Sequence, residues 1–186
     1  MSSIVEKLQN LRFDMHKRMV IVAVFFFVAL VFTAIGVLVI KVDVSDAQDF
    51  EEEIMEEFER LNDPRSIFGN NFIHTLVMFV PLFGPVWGCF VLFNTGSIIS
   101  ILSIAQGVPP FLTFLVLFFT PVFWLEFGVY SVAMAQSVVL FLQILRRRGR
   151  KEAVRTCVLI TICALFLLLA AVIEWVMINM SSVVPA

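Results

Sequence analysis

The side chain best placed for chemistry is Glu126, the single formal charge in the stretch Ser66–Leu145. Asn70, Asn71, His74 and Asn94 share that stretch with it. A carboxylate, three amides and an imidazole in apolar surroundings can relay a proton, hold a cation, or tie segments together by hydrogen bonds. No Lys or Arg lies within 19 residues of Glu126 on either side, so its partner must come from elsewhere in the fold. The Asn70 and Asn71 amides, His74 and Arg65 are the candidates. The alternative role for Glu126 is to cap backbone groups freed where Pro121 breaks a helix.

Other chemistries find no pattern. The chain has no HExxH, GxSxG or P-loop, and its two histidines, His16 and His74, fall in different segments. Cys89, Cys157 and Cys163 are spaced like neither a zinc site nor a redox pair and read as small apolar residues. The expectation is a protein without enzymatic activity, cofactor or metal, and with no nucleic-acid partner.

The elements that position these residues are dictated by the solvent. At 186 residues, 60 % hydrophobic and with mean hydropathy +0.98, the chain belongs to the membrane class. The expected fold is all-α, a polytopic helical bundle with about five transmembrane spans, some of them broken or re-entrant. Residues 1–18 place Ile4, Leu8, Leu11 and Met15 at helical spacing among Lys7, Arg12, Lys17 and Arg18, which predicts a cytoplasmic amphipathic segment. Residues 19–186 form one integral membrane domain, beginning with the span Met19–Ile40. The first apolar run is long enough to remain as an anchor.

Ten of the 15 acidic residues lie between Asp43 and Asp63. There Phe50, Ile54, Phe58 and Leu61 make one apolar stripe, and Ser45 with Gln48 has capping-box spacing. This predicts an acidic amphipathic helix over 43–63. Anionic headgroups repel such a face, so the stripe packs on protein, either on this chain's own helices or on a partner docking at Glu52, Glu53, Glu56 and Glu57.

Asp63-Pro64 then reads as a cap and first turn of a helix entering the span Phe72–Phe93, kinked by Pro81 and Pro85, with Gly84 and Gly88 offering a close-packing face. Ser97–Gln106 is too short to span and reads as re-entrant or interfacial. Phe111–Leu145 is expected to break at Thr120-Pro121, leaving Phe111–Thr120 as a half-length piece and Glu126 on the broken turn. Arg146-Arg147-Arg148-Gly149-Arg150-Lys151 is the basic loop, and Val154–Ile178 the last span, with Glu174 near its outer end. Four basic residues ahead of the first span and this loop both point to the cytoplasm by the positive-inside rule, with 43–63 and the C-terminus outside the cell membrane.

The order of these pieces resembles the stage II sporulation protein M family. The resemblance is carried by Ile67-Phe68-Gly69-Asn70-Asn71 entering a Gly-rich span, Asn94-Thr95-Gly96, Pro121 through Glu126, and Ala171-Val172-Ile173-Glu174, over about residues 20–178. Val122 and Phe123 stand where that family has His and Gly, and Thr95 intervenes between Asn94 and Gly96. The resemblance implies a non-catalytic scaffold or accessory subunit, partnered by other membrane proteins in a hetero- or homo-oligomeric complex within the bilayer. The alternative from the residues alone is a small oligomeric transporter or channel, with Glu126, Asn70, Asn71 and Asn94 lining its path.

Overall fold

The computed structural model describes the backbone of residues 2–40, 42–60, 63–147 and 149–183; within these, the side chains of 2–14, 53, 55–60 and 181–183 lie outside the described residues. The described residues are helical, in the order α1 (Ser2–Val39), α2 (Val44–Arg60), α3 (Pro64–Met78), α4 (Phe83–Ala105), α5 (Pro110–Phe118), α6 (Pro121–Leu145) and α7 (Gly149–Val183). Four of them, α1, α4, α6 and α7, contain stretches long and apolar enough to cross a membrane. At about 1.5 Å per residue, the 15 residues of α3 and the 9 of α5 fall short of a ~30 Å hydrocarbon core.

Prolines decide where the short helices stop, and their effect is stronger than a kink. The run expected as one span over Phe72–Phe93 is divided: α3 ends at Met78, and Leu82 adopts the left-handed backbone (φ 67°) before α4 begins. Pro81 lies in that turn and Pro85 in the first turn of α4, where a missing N–H costs no helical hydrogen bond. The Val80 carbonyl accepts from the Gly84 N–H at 2.9 Å and from Ser137 Oγ of α6 at 2.5 Å. The second break falls at Thr120-Pro121 as the sequence leads one to expect, with the Thr120 hydroxyl accepting from the Phe123 N–H. Glu126 is not on that turn; it sits five residues further on, inside α6.

Asn94-Thr95-Gly96 does not end a helix, and Ser97–Gln106 is no separate re-entrant piece: α4 continues through both to Ala105. The Thr95 and Ser97 hydroxyls fold back onto the carbonyls of Val91 and Phe93, so these polar residues need no outside partner. Gly96 supplies close approach instead. A Cβ there would run into the Thr33 carbonyl, and one at Gly36 into the Phe93 carbonyl. Thr33 against Gly96 and Ile40 against Ser100 place α1 and α4 side by side in the same direction. The Gly84 and Gly88 face meets α6 at Ser137 and Met134.

At the ends the helices are longer than expected. Residues 2–18 of the amphipathic stretch are the beginning of α1, without a break before Met19, and α7 starts at Gly149. Helix α2 packs on α4 within the same chain, through the fully buried Ala47 and the hydrogen bond from Gln106 Nε2 to Glu51 Oε1 (3.1 Å). Phe50, the first residue of the apolar stripe, is 48 % exposed, while Phe58 and Leu61 lie outside the described side chains. Ser45 does not close a capping box; its hydroxyl points to Asp46. Helix α6 is the centre of the bundle, with Phe127, Tyr130, Ala133 and Met134 buried against the surrounding helices.

Candidate functional site

Two polar clusters sit among the apolar helices. In the first, Asn71 Nδ2 of α3 donates to Glu126 Oε1 of α6 at 2.5 Å. Asp63 organises the approach: its carboxylate accepts from the N–H groups of Arg65 and Ser66 and from the Ser66 hydroxyl, starting α3 so that Asn71 arrives two turns later beside α6. The Ser66 hydroxyl, with the Arg65 N–H, holds the Asp63 carboxyl below its ordinary value. Glu126 is partly buried, and Glu174 of α7 lies within Coulombic range of it. Tyr130, one turn along α6, is buried.

The other residues expected in this cluster are placed differently. Asn70 is exposed, on the next face of α3. His74 turns toward α4 and packs its ring 5.9 Å from that of Trp87, where His74 Nδ1 and Trp87 Nε1 are buried without a hydrogen-bond partner among the described residues. Asn94 lies on α4, half-buried and outside the contact. Arg65 is exposed at the start of α3. Of the expected docking residues, Glu52 is exposed on α2; the side chains of Glu53, Glu56 and Glu57 lie outside the described residues.

The second cluster joins α1, α6 and α7. Arg18 clamps Glu152 with two parallel bonds, Nη1 to Oε1 at 2.7 Å and Nη2 to Oε2 at 2.9 Å. Gln136 Nε2 donates to Glu152 Oε1 (2.8 Å) and to Thr156 Oγ1 (2.9 Å), while the Thr156 hydroxyl donates to the Glu152 carbonyl. Arg155 approaches the same carboxylate at 3.5 Å. Gln136, Glu152 and Thr156 are buried, and bidentate pairing satisfies a carboxylate there better than a point charge could. Sequence reasoning missed this cluster because Arg18 and Glu152 read as parts of charged flanks. The available signals were Gln136, an amide in the middle of an apolar helix run, and the four-residue spacing that puts Glu152 and Thr156 on one face of α7.

Beside this cluster runs a groove of about 780 Å³, between α1 and α7 and floored by α6. Helices α1 and α7 both pack on α6, and the Arg18–Glu152 pair joins them.

The fold defines an all-helical, multi-pass membrane protein, with Asn71–Glu126 and Gln136–Glu152 paired across its helices. Comparison of the chain with protein-family models, with curated proteins and with solved structures returned no match.

Proposed function

We propose that this chain is a non-catalytic scaffold or accessory subunit of a membrane complex, as the resemblance to the stage II sporulation protein M family implies. The observation that carries the reading is the Asn71–Glu126 hydrogen bond: the one carboxylate in the central apolar stretch is engaged with an amide of a neighbouring helix. Such a contact fastens the short helix α3 to the centre of the bundle. Helix α2 adds a partner surface, held on α4 at Ala47 with Glu52 and Phe50 turned outward. In the cell membrane, the N-terminus and the basic loop 146–151 face the cytoplasm, while α2 and the C-terminus lie outside, in keeping with the charge distribution.

The test is purification of the full chain in mild detergent with identification of what accompanies it. A recurring stoichiometric membrane-protein partner, lost on replacing Glu52, Glu53, Glu56 and Glu57 by Gln, supports the scaffold. A homo-oligomer without partners that conducts ions or takes up solute in vesicles would overturn it.

One feature favours a second reading, a small oligomeric transporter or channel. Helices α3/α4 and α5/α6 are each interrupted at proline, with Glu126 shortly after the second interruption, and transporters build sites at such breaks. In that reading Glu126→Gln abolishes transport while folding is retained, because the missing property is charge.

A further inference from the structure

Two carboxamides, Asn70 and Asn94, lie on the seam between α3 and α4. His74 and Trp87 show where that seam runs, their rings packed across it 5.9 Å apart. Asn70 is four residues before His74 and Asn94 seven after Trp87, spacings that return to the same helix face. A short turn makes the two helices antiparallel, so both amides fall on the same side of the ring contact, about 6 Å along α3 and about 10 Å along α4. Asn70 is exposed and Asn94 half-buried, and neither amide has a hydrogen-bond partner among the described residues. The polar residues beside them differ: Asn71 donates to Glu126, and the Thr95 hydroxyl to the Val91 carbonyl.

Depth makes these two amides informative. Asn94 is near the middle of the 23 residues of α4, a helix long and apolar enough to span, so the seam around it meets lipid tails that offer neither donor nor acceptor. Their partner comes from another chain, and the chemistry of the face selects a second copy. A carboxamide carries donor and acceptor in one group, so identical patches related by a two-fold axis complement each other without any further residue. The surrounding face is uncharged, with Ile73, Leu76, Val86 and Phe90 exposed, and holds nothing for a charged segment to pair with. Helix α3 supplies a second reason: its 15 residues rise about 22 Å against a ~30 Å hydrocarbon core, a mismatch that oligomerisation relieves. Gly69, where an added Cβ would meet nothing, leaves the α3 backbone open to close approach beside Asn70.

We propose that two copies of this chain pair through the α3–α4 seam about a two-fold axis, the Asn70 and Asn94 amides of one copy hydrogen-bonded to those of the other within the hydrocarbon. Helix α2 packs at the far end of α4, where Gln106 meets Glu51, so its outward face stays free in the pair. The inference goes beyond the scaffold reading and stands whether or not that reading holds.

The test uses the full chain with Cys89, Cys157 and Cys163 replaced by Ala and single cysteines introduced. Under mild oxidation in native membranes, Ile73→Cys, one turn from Asn70, is expected to give a disulfide-linked dimer of this chain, identified by its mass. Phe27→Cys, exposed on α1, should give monomer only. Energy transfer between donor- and acceptor-labelled copies in phosphatidylcholine vesicles, at a series of protein-to-lipid ratios, then measures the affinity. Asn70→Leu should raise the dissociation constant about tenfold, the weight of two interhelical hydrogen bonds in lipid. Asn70→Gln, which still donates and accepts, should stay close to the parent chain. The cross-link at position 73 is made with both amides intact and so decides independently of how Asn70→Leu folds. Monomer at every protein-to-lipid ratio, equal affinity of Asn70→Leu and the parent, or a cross-link from position 73 to a different protein would overturn the proposal.

Discussion

Asn71 and Glu126, 55 residues apart in the chain, meet at 2.5 Å and so join the shortest well-capped helix of the bundle to its central one. The amide supplies the N–H and the carboxylate accepts, which makes the pair replaceable on one side and not on the other. Glu126→Gln retains an acceptor oxygen and should leave unfolding in detergent nearly unchanged. Asn71→Leu or Glu126→Leu strands the remaining group and should each destabilise by about 1–3 kcal/mol. A double-mutant cycle is the decisive measurement: if the two losses simply add, the contact contributes nothing.

The Arg18–Glu152–Gln136 cluster should be more sensitive. Glu152→Ala leaves Arg18 without its bidentate partner, and since that side chain is only 20 % exposed the loss should approach the roughly 3–5 kcal/mol typical of broken buried pairs, less some relief from solvent. Arg18→Lys keeps the charge but not the fork, and should recover only part of the difference. Thermal unfolding in a fixed detergent separates the three proteins.

Close helix approach gives opposite signs at different glycines. Gly96→Ala and Gly36→Ala would push a methyl group into the backbone of the facing helix, separating α1 from α4 at a cost of about 1–3 kcal/mol. Gly128, inside α6, has open space where its Cβ would be, and Gly128→Ala should stabilise by up to about 1 kcal/mol through the unfolded chain. Destabilisation of all three variants alike would contradict this packing.

Asp63 makes the start of α3 pH-dependent. Its carboxyl is held below the ordinary value in the folded chain by the Ser66 hydroxyl and the Arg65 N–H. The cap therefore contributes fully above the unfolded value of about 3.9 and is lost as pH falls through the lower folded value. Amide hydrogen exchange in the first turn of α3, corrected for its intrinsic pH dependence, should accelerate across that window. In Asp63→Asn the acceleration should disappear.

Orientation is open to a direct experiment on intact cells. Single cysteines at Ser2, Gln48 and Ser182, in a chain freed of Cys89, Cys157 and Cys163, are treated with an impermeant thiol reagent. Labelling at positions 48 and 182 is expected; labelling at position 2 alone would reverse the topology.

How much of this was legible in advance varies with the range of the forces. The acidic amphipathic helix, the break at Thr120-Pro121 and the start of α3 at Asp63-Pro64 follow from local rules of capping, ring geometry and charge, and all three are present. The Asn94-Thr95-Gly96 stretch misled because the same small polar residues serve turns in water and close-packed helices in lipid. There, hydroxyls satisfied within the helix and a backbone from α1 pressed against Gly96 keep α4 going. The Pro81 region misled in the opposite sense: the kink is a turn, in which the Val80 carbonyl accepts from the Gly84 N–H and from Ser137 of a distant helix.

By itself the sequence determined that this is a helical membrane protein, where its charges cluster, and that Glu126 required a partner from beyond its own neighbourhood, because the cost of charge in hydrocarbon is set by composition alone. Only the tertiary structure decided which partner that is. Asn70 and Asn71 are adjacent and chemically identical, yet successive residues on a helix point about 100° apart. The packing of α3 against α6 and α7 directs Asn71 to the carboxylate and leaves Asn70 exposed.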